Sequence, residues 1–386
     1  MHNTKYFEPN RRATWLELFF DLIFVVAIGD VTHILNHTNE GHLAPLQFWQ
    51  YVLTFIPLWW IWVSHTMYAN RFDADDRKHR LATLCIMFLV IIISGLIDQR
   101  FLTSFAALII CYAGSKYIIA MMYFVSRHRH NESVRLTTAV GWVTVAGATI
   151  SLASILFPAP QRYIVLYLGI LVDLVAFVCF LPRRLQGIPV HTEHLIERVG
   201  LLTLILLGES VISLSAGLAN ISWTLERLVT AVTGFVTISS IWWVYFDSFH
   251  LLSKQKLATG HSVLYSHLFV FIGLSILASL IRHAILDDMH VSDFRILSAI
   301  GTVCFFIGKQ YAYFMERPEL RRQLVVNTSV VFVLTGFALL SPRTSYILFG
   351  LTATVICYAF LSLKYLTVPR GRADRPRNSA IRMDQP

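Results

Sequence analysis

From Trp15 to Leu366 the chain runs through long apolar stretches separated by short polar breaks. A helix needs about 20 apolar residues to cross the hydrocarbon of a bilayer. Twelve stretches meet that requirement: 15–35, 47–67, 81–99, 102–125, 135–157, 161–182, 194–218, 223–247, 262–286, 294–316, 324–341 and 344–366. Pro158, Pro160 and Pro342 fall between stretches, where helix breakers belong. The pattern therefore predicts an all-α, polytopic transmembrane bundle of about twelve helices. The breaks are short, so neighbouring helices are expected to run antiparallel. A polar segment, 1–14, precedes the bundle. The stretch after Leu366, "TVPRGRADRPRNSAIRMDQP", has the composition of a disordered basic tail over 367–386.

The two halves of the pattern echo one another. "PLWWIWVSH" at 57–65 matches "SIWWVYFD" at 240–247, and "SGLI" at 94–97 matches "ASLI" at 278–281. "CYAGSK", ending at Lys116, matches "CFFIGK", ending at Lys309, and "GD" at 29–30 matches "GE" at 208–209. These echoes predict a first six-helix half over 15–186 and a second over 187–366. Six is an even number, so the halves would share one orientation, as a parallel repeat about the membrane normal.

Composition sharpens this picture. Hydrophobic residues make up 55% of the chain and charged residues 14%, against about 25% charged in soluble domains. The net charge is +9. Of 32 Lys and Arg, 25 lie with the termini and the even-numbered breaks, six lie with the odd-numbered ones, and Lys116 is mid-helix. The positive-inside rule then puts both termini in the cytoplasm. No stacking module accompanies the basic residues, so nucleic acid is not an expected partner; the lipid bilayer is. The five cysteines lie in apolar runs without a C-x-x-C pair, so neither disulfides nor a thiolate metal site is expected.

What remains to be explained is charge inside the apolar runs, where each ionisable group is expensive and faces the bundle interior or water. Glu17 closes a Thr-x-x-Glu capping box with Thr14. Asp21 lies one turn further in, beyond the reach of a cap. Asp30 and His33 sit at the far end of the same helix, and Glu209 recurs where Asp30 would repeat. Lys116 and Asp173 lie at similar depths, about 21 and 18 Å from the ends of their helices, and could pair; Asp21 is also within reach of Lys116 by depth. Lys309 repeats Lys116, but Ile356 stands where Asp173 would repeat. His65, Arg282 and His283 are expected at the interfaces, and both tryptophan clusters in the core. Asp21, Asp30, Lys116, Asp173, Glu209 and Lys309 are the candidates for an ion or proton path.

Two stretches carry a resemblance. "LELFFDLIFVVAIGDVTHIL" and "HLIERVGLLTLILLGESVISL" resemble the bacterial low temperature requirement protein A family, and the length and helix count agree over nearly the whole chain. The motif positions are Glu17, Phe19, Phe20 and Asp21 in the first stretch, and Glu197, Arg198, Gly208, Glu209 and Ser210 in the second. The resemblance implies a multi-pass bacterial inner-membrane protein and names no reaction.

Two functions are open to such a chain. It could move a small ion or solute, with the buried carboxylates exchanging protons or binding a cation and the lysines holding the empty site closed. It could instead sense or organise lipid without transport, with the same charges locking helices together. Metalloprotease, serine-hydrolase, P-loop and dinucleotide-binding motifs are absent. Neither an enzyme, a cofactor nor a metal site is therefore expected.

Overall fold

A computed structural model describes residues 12–72, 76–97, 101–126, 134–181, 188–219, 222–253, 257 and 259–366. Most of the 1–14 segment, the 367–386 tail and the basic pair Arg183–Arg184 lie outside the described residues. Among those described, twelve long helices form the bundle and no strand occurs: α1 (Trp15–His33), α2 (Pro45–Phe72), α3 (Arg77–Gly95), α4 (Phe101–Ser126), α5 (Val134–Ala153), α6 (Gln161–Val175), α7 (Thr192–Leu218), α8 (Leu225–Ser253), α9 (His261–Leu286), α10 (Val291–Glu316), α11 (Arg321–Leu339) and α12 (Thr344–Leu366). All but α2 are apolar enough by themselves to cross a membrane. Large apolar side chains such as Phe88, Trp142, Phe235 and Phe349 point outward, while hydroxyls, imidazoles and charges are gathered inside. That inversion is what lipid as the outer solvent demands.

Helix α2 is the exception because it is the internal one. From Leu58 to Asn70 every residue is buried, Ser64, His65, Thr66 and Asn70 among them. Polar groups at that depth need protein partners, and α2 finds them on six other helices. Pro57 shows the logic best. It has no N–H, so the carbonyl of Leu53 loses its helical donor. The Tyr167 hydroxyl of α6 donates to that carbonyl at 2.8 Å. The break in α2 thus becomes an attachment point for α6. Further along, the Tyr51 hydroxyl meets Ser275 Oγ of α9 at 2.7 Å, and Tyr68 meets Ser126 of α4 at the same distance. His65 Nε2 lies 3.1 Å from Thr83 Oγ1 of α3.

Helices α1 and α7 pack side by side and run in the same direction. Their contacts ascend together, from Glu17 with His194, through Asp21 with Arg198, to Gly29 beside Glu209. Parallel packing of these two helices is what a six-plus-six arrangement would require. On the other side of α2, α5 and α6 touch at glycines. A Cβ on Gly169 would lie 2.2 Å from Ser151 Oγ and 2.4 Å from the Gly147 carbonyl. Small residues bring helix backbones together where lipid offers no hydrophobic drive.

Several expectations change. His65 is not interfacial; it is fully buried and stacks on Phe20 at 4.0 Å between ring centroids. His283 is buried as well. Its ring nitrogens face the Leu35 carbonyl at 2.9 Å and Asp288 Oδ1 at 2.5 Å, while Arg282 donates to the Asn36 carbonyl at 3.2 Å. This cluster ties the end of α9 to the turn after α1. The second tryptophan pair is not in the core, since Trp242 and Trp243 are half exposed on the lipid-facing side of α8. Finally, Arg198 and Lys309, counted with the basic breaks, are buried within helices. The asymmetry becomes 23 to six, which leaves its direction unchanged.

Two tests arise from this packing. Gly169→Ala should destabilise the bundle by about 1–3 kcal/mol through overpacking, lowering the thermal midpoint in detergent. Gly208→Ala, which meets nothing within 4 Å, should leave that midpoint unchanged or raise it slightly, because alanine favours the helix. The Asp288 cluster gives the second. Burial pushes its carboxyl upward, but the His283 hydrogen bond and the charges of His283 and Arg282 outweigh burial and hold it below the usual carboxylate range. Its contribution is therefore complete above about pH 4 and is lost as pH falls through the depressed value. Asp288→Asn should flatten the acid limb of a stability-versus-pH curve below pH 4.

Candidate functional site

Two charge clusters lie on opposite sides of α2. Trp60 and Trp62 are two residues apart, so their side chains leave the helix on nearly opposite faces. Each indole reaches a buried carboxylate. Trp60 Nε1 donates to Asp173 Oδ2 of α6 at 2.9 Å, and Trp62 Nε1 donates to Asp21 Oδ1 of α1 at 2.7 Å.

The first cluster joins α1, α2 and α7. Arg198 forks onto Asp21, with Nη2 at 2.5 Å from Oδ1 and Nε at 3.4 Å from Oδ2. Its Nη1 reaches Glu17 Oε1 at 3.4 Å. Glu17 completes the capping box with Thr14, so it both caps α1 and neutralises charge. His194, one turn before Arg198, lies 3.1 Å from Glu17 Oε2 through Nε2. Asn70 fixes which nitrogen of that ring carries hydrogen. Its Oδ1 accepts the His191 N–H at 2.9 Å, so its Nδ2 faces the His191 carbonyl at 3.1 Å and His194 Nδ1 at 3.0 Å. An amide nitrogen can only donate. Nδ1 of His194 therefore accepts, and Nε2 holds the hydrogen that it donates to Glu17. Glu17, Asp21, His194 and Arg198 are each exposed by 1% or less, so their charges have to be met within the protein.

The second cluster joins α2, α4 and α6. Lys116 Nζ lies 2.7 Å from Asp173 Oδ2 and 2.5 Å from Ser64 Oγ, and it sits 5.0 Å from the centroid of the Trp60 ring. A carboxylate, a hydroxyl and an aromatic face thus surround one ammonium. Asp173 Oδ1 is buried with no hydrogen-bond partner among the described residues. Immediately after Asp173, α6 widens into a π turn over Ala176–Phe180, which sets Phe177 edge-on against Trp60. Such widened turns occur often at functional positions.

The remaining candidates are placed elsewhere. Asp30 is exposed at the end of α1, where it accepts a hydrogen bond from Ser94. His33 lies 3.6 Å from Glu209 Oε1, and Glu209 is buried against Gly29. Asp30, His33, His37, Gln47 and Gln50 line a cavity of about 650 Å³ at that end of the bundle. Lys309 is buried among hydroxyls and rings, with Ser248 Oγ at 3.1 Å and Tyr358 Oη at 3.4 Å. No carboxylate lies within ion-pair distance of it among the described residues. Among the motif positions, Glu197 accepts the Ala13 N–H, Phe20 is buried and Phe19 faces outward, and Ser210 is wholly buried. The largest omissions of the sequence reading are His194 and the pairing of Arg198 with Asp21. A signal for them existed: Glu17 and Asp21 are spaced by four, as are His194 and Arg198, at one constant offset of 177.

A family model described as bacterial low temperature requirement A protein matches residues 12–360. The chain is also 21% identical over 386 residues to a Rhizobium meliloti (strain 1021) protein named "Uncharacterized protein RA0937", covering 92% of this chain and 90% of that one.

The Lys116–Asp173 pair can be tested as a unit. Removing one partner of a buried ion pair costs about 3–5 kcal/mol, whereas replacing both with apolar groups is near neutral. Lys116→Met and Asp173→Leu should each lower the thermal midpoint in detergent sharply. The double variant should recover most of the loss. Additive losses would show that the two side chains do not depend on one another.

Proposed function

The chain belongs to the bacterial low temperature requirement A family, and from that premise we propose that it moves a small ion or solute across the inner membrane, coupled to protons. The observation that carries this reading is the column of ionisable groups along the α1–α7 seam. It begins with Glu17, His194, Asp21 and Arg198 at the end of the bundle where most Lys and Arg gather, and resumes with Glu209, His33 and Asp30 at the polar cavity. About eight residues of α1, or roughly 12 Å, separate the two groups. Phe24, Ile28, Leu202 and Leu206 in that interval are apolar and buried. In this reading the conformation is a closed one, with charge on both sides of a buried apolar plug. Carboxylates that trade one partner for another can take up and release protons as the plug opens. The Lys116–Asp173 pair, with an unpartnered oxygen, is a second store of charge on the other side of α2. In this reading both termini are cytoplasmic, supported by the 23-to-six distribution of basic residues. No catalysis is assigned to the chain.

A second reading is favoured by one specific observation: the charges of both clusters are buried and each is paired with an opposite charge inside the protein. They could act as helix locks in a protein that organises lipid without transport.

Reconstitution separates the two. Full-length protein in liposomes loaded with a pH-reporting dye should dissipate an imposed proton gradient, with Na⁺, K⁺ or small organic ions tested as the countermoving species. Asp21→Asn and Glu209→Gln should lower the rate by at least about tenfold, the order of a general acid–base contribution, while the thermal midpoint of Glu209→Gln stays close to wild type. Absence of flux from folded wild-type protein throughout the screen, or flux that survives both substitutions, would leave helix locking as the function of these charges.

A further inference from the structure

The structure assigns a divalent transition-metal site to His42, His290 and Asp293, at the outer seam between the loop after α1 and the N-terminal end of α10. One ligand atom from each residue lies within 4.8 Å of the other two. His42 Nδ1 and Asp293 Oδ2 are 3.1 Å apart, and the two imidazole centroids are separated by 4.6 Å. Tetrahedral zinc, with bonds of about 2.0–2.1 Å, sets its ligand atoms about 3.4 Å apart. The His42–Asp293 edge is close to that spacing, and the exposed His290 ring brings its ligand atom within 4.8 Å of both.

The scaffold beneath the three side chains is held by bonds from backbone N–H groups. Asn39 and His42 exchange N–H and carbonyl bonds at 2.9 Å. Glu40 and Gly41 turn the chain through consecutive left-handed conformations, with φ of 50° and 81°. The Gly41 carbonyl then accepts the His290 N–H at 2.6 Å, and the Leu43 N–H donates to Asp293 Oδ2 at 2.9 Å. Thus segments 250 positions apart in sequence are joined by bonds that do not involve the imidazoles.

A supporting shell is also in place. His290 Nδ1 lies 2.7 Å from Ser292 Oγ, which donates to Asp293 Oδ1 at 2.8 Å. With metal on Nε2, Nδ1–H donates to Ser292 and the serine orients the carboxylate. That is the relay that fixes the tautomer of a metal-bound histidine. Nδ1 then gives up the Ser292 N–H it accepts at 3.3 Å. Two imidazoles and one carboxylate suit zinc, copper, nickel or cobalt rather than magnesium or calcium. The fourth position faces solvent. Sequence spacing hides the site because its ligands come from two distant turns.

Co²⁺ titration of tag-free, full-length protein in detergent tests the assignment through visible d–d absorption. One Co²⁺ per chain should bind and be displaced by Zn²⁺. His290→Ala and His42→Ala should each weaken binding at least about tenfold, and His37→Ala, at a neighbouring exposed histidine, should not. Zn²⁺ should raise the thermal midpoint of wild type but not of His290→Ala. A titration without saturable absorption, or one that His42→Ala and His290→Ala leave unchanged, would overturn the site.

Discussion

The interior of this bundle is organised around how two carboxylates are accommodated where lipid surrounds the protein. Asp21 and Asp173 are each met by one indole N–H from α2 and one cation from a neighbouring helix. A charge at the bilayer centre costs roughly 2.5–3.5 kcal/mol on insertion scales, and an isolated one would be neutralised or dragged toward water. Here each carboxylate receives a cation and a neutral donor, so the desolvation is met by short, charge-assisted bonds. Tryptophan suits the second role because it donates one hydrogen bond and buries a large apolar surface with the same side chain. The ring of Trp60 serves twice, with its N–H on Asp173 and its face beneath Lys116.

This accounts for the unusual composition of α2. A helix that touches lipid has to be apolar. A helix enclosed by six others can carry Ser64, His65 and Asn70, provided each meets a partner. Its relatively polar sequence is therefore a mark of its central position, and Pro57 is tolerated because Tyr167 answers the carbonyl it exposes. Hydropathy alone ranks α2 below the other helices, although it is the one that most of them depend on.

The fold was largely legible in the sequence because hydrocarbon thickness leaves a strong one-dimensional signal. Each of the twelve apolar runs corresponds to a helix, with ends shifted by a few residues. Individual charges were harder. The depth of Lys116 and Asp173 was readable from helix rise, since both helices start from the same side. Glu17 was readable as a cap. The partner of Asp21 is not legible, because Arg198, close to a helix start, has the sequence setting of a loop cation. Nothing in linear order says that α1 and α7 lie against each other. His65 and His283 were misjudged for a related reason. A histidine near a helix end reads as interfacial until a neighbouring turn or helix is known to cover it.

Positions that echo one another in sequence have different surroundings in the structure. Lys116 and Lys309 hold matching places in their cysteine-to-lysine stretches, but only Lys116 has a carboxylate partner among the described residues. Trp59 and Trp60 are buried, whereas the matching Trp242 and Trp243 lie on the lipid side of α8. Once α8 turns its tryptophans outward, its inner face offers Ser248, and Tyr313 and Tyr358 complete the surroundings of Lys309. Hydroxyls and aromatic faces thus occupy the positions around Lys309 that a carboxylate takes beside Lys116. The two charge clusters that flank α2, around Asp21 and Asp173, draw on α1, α2, α4, α6 and α7, so the indoles of one helix tie both clusters to the same frame.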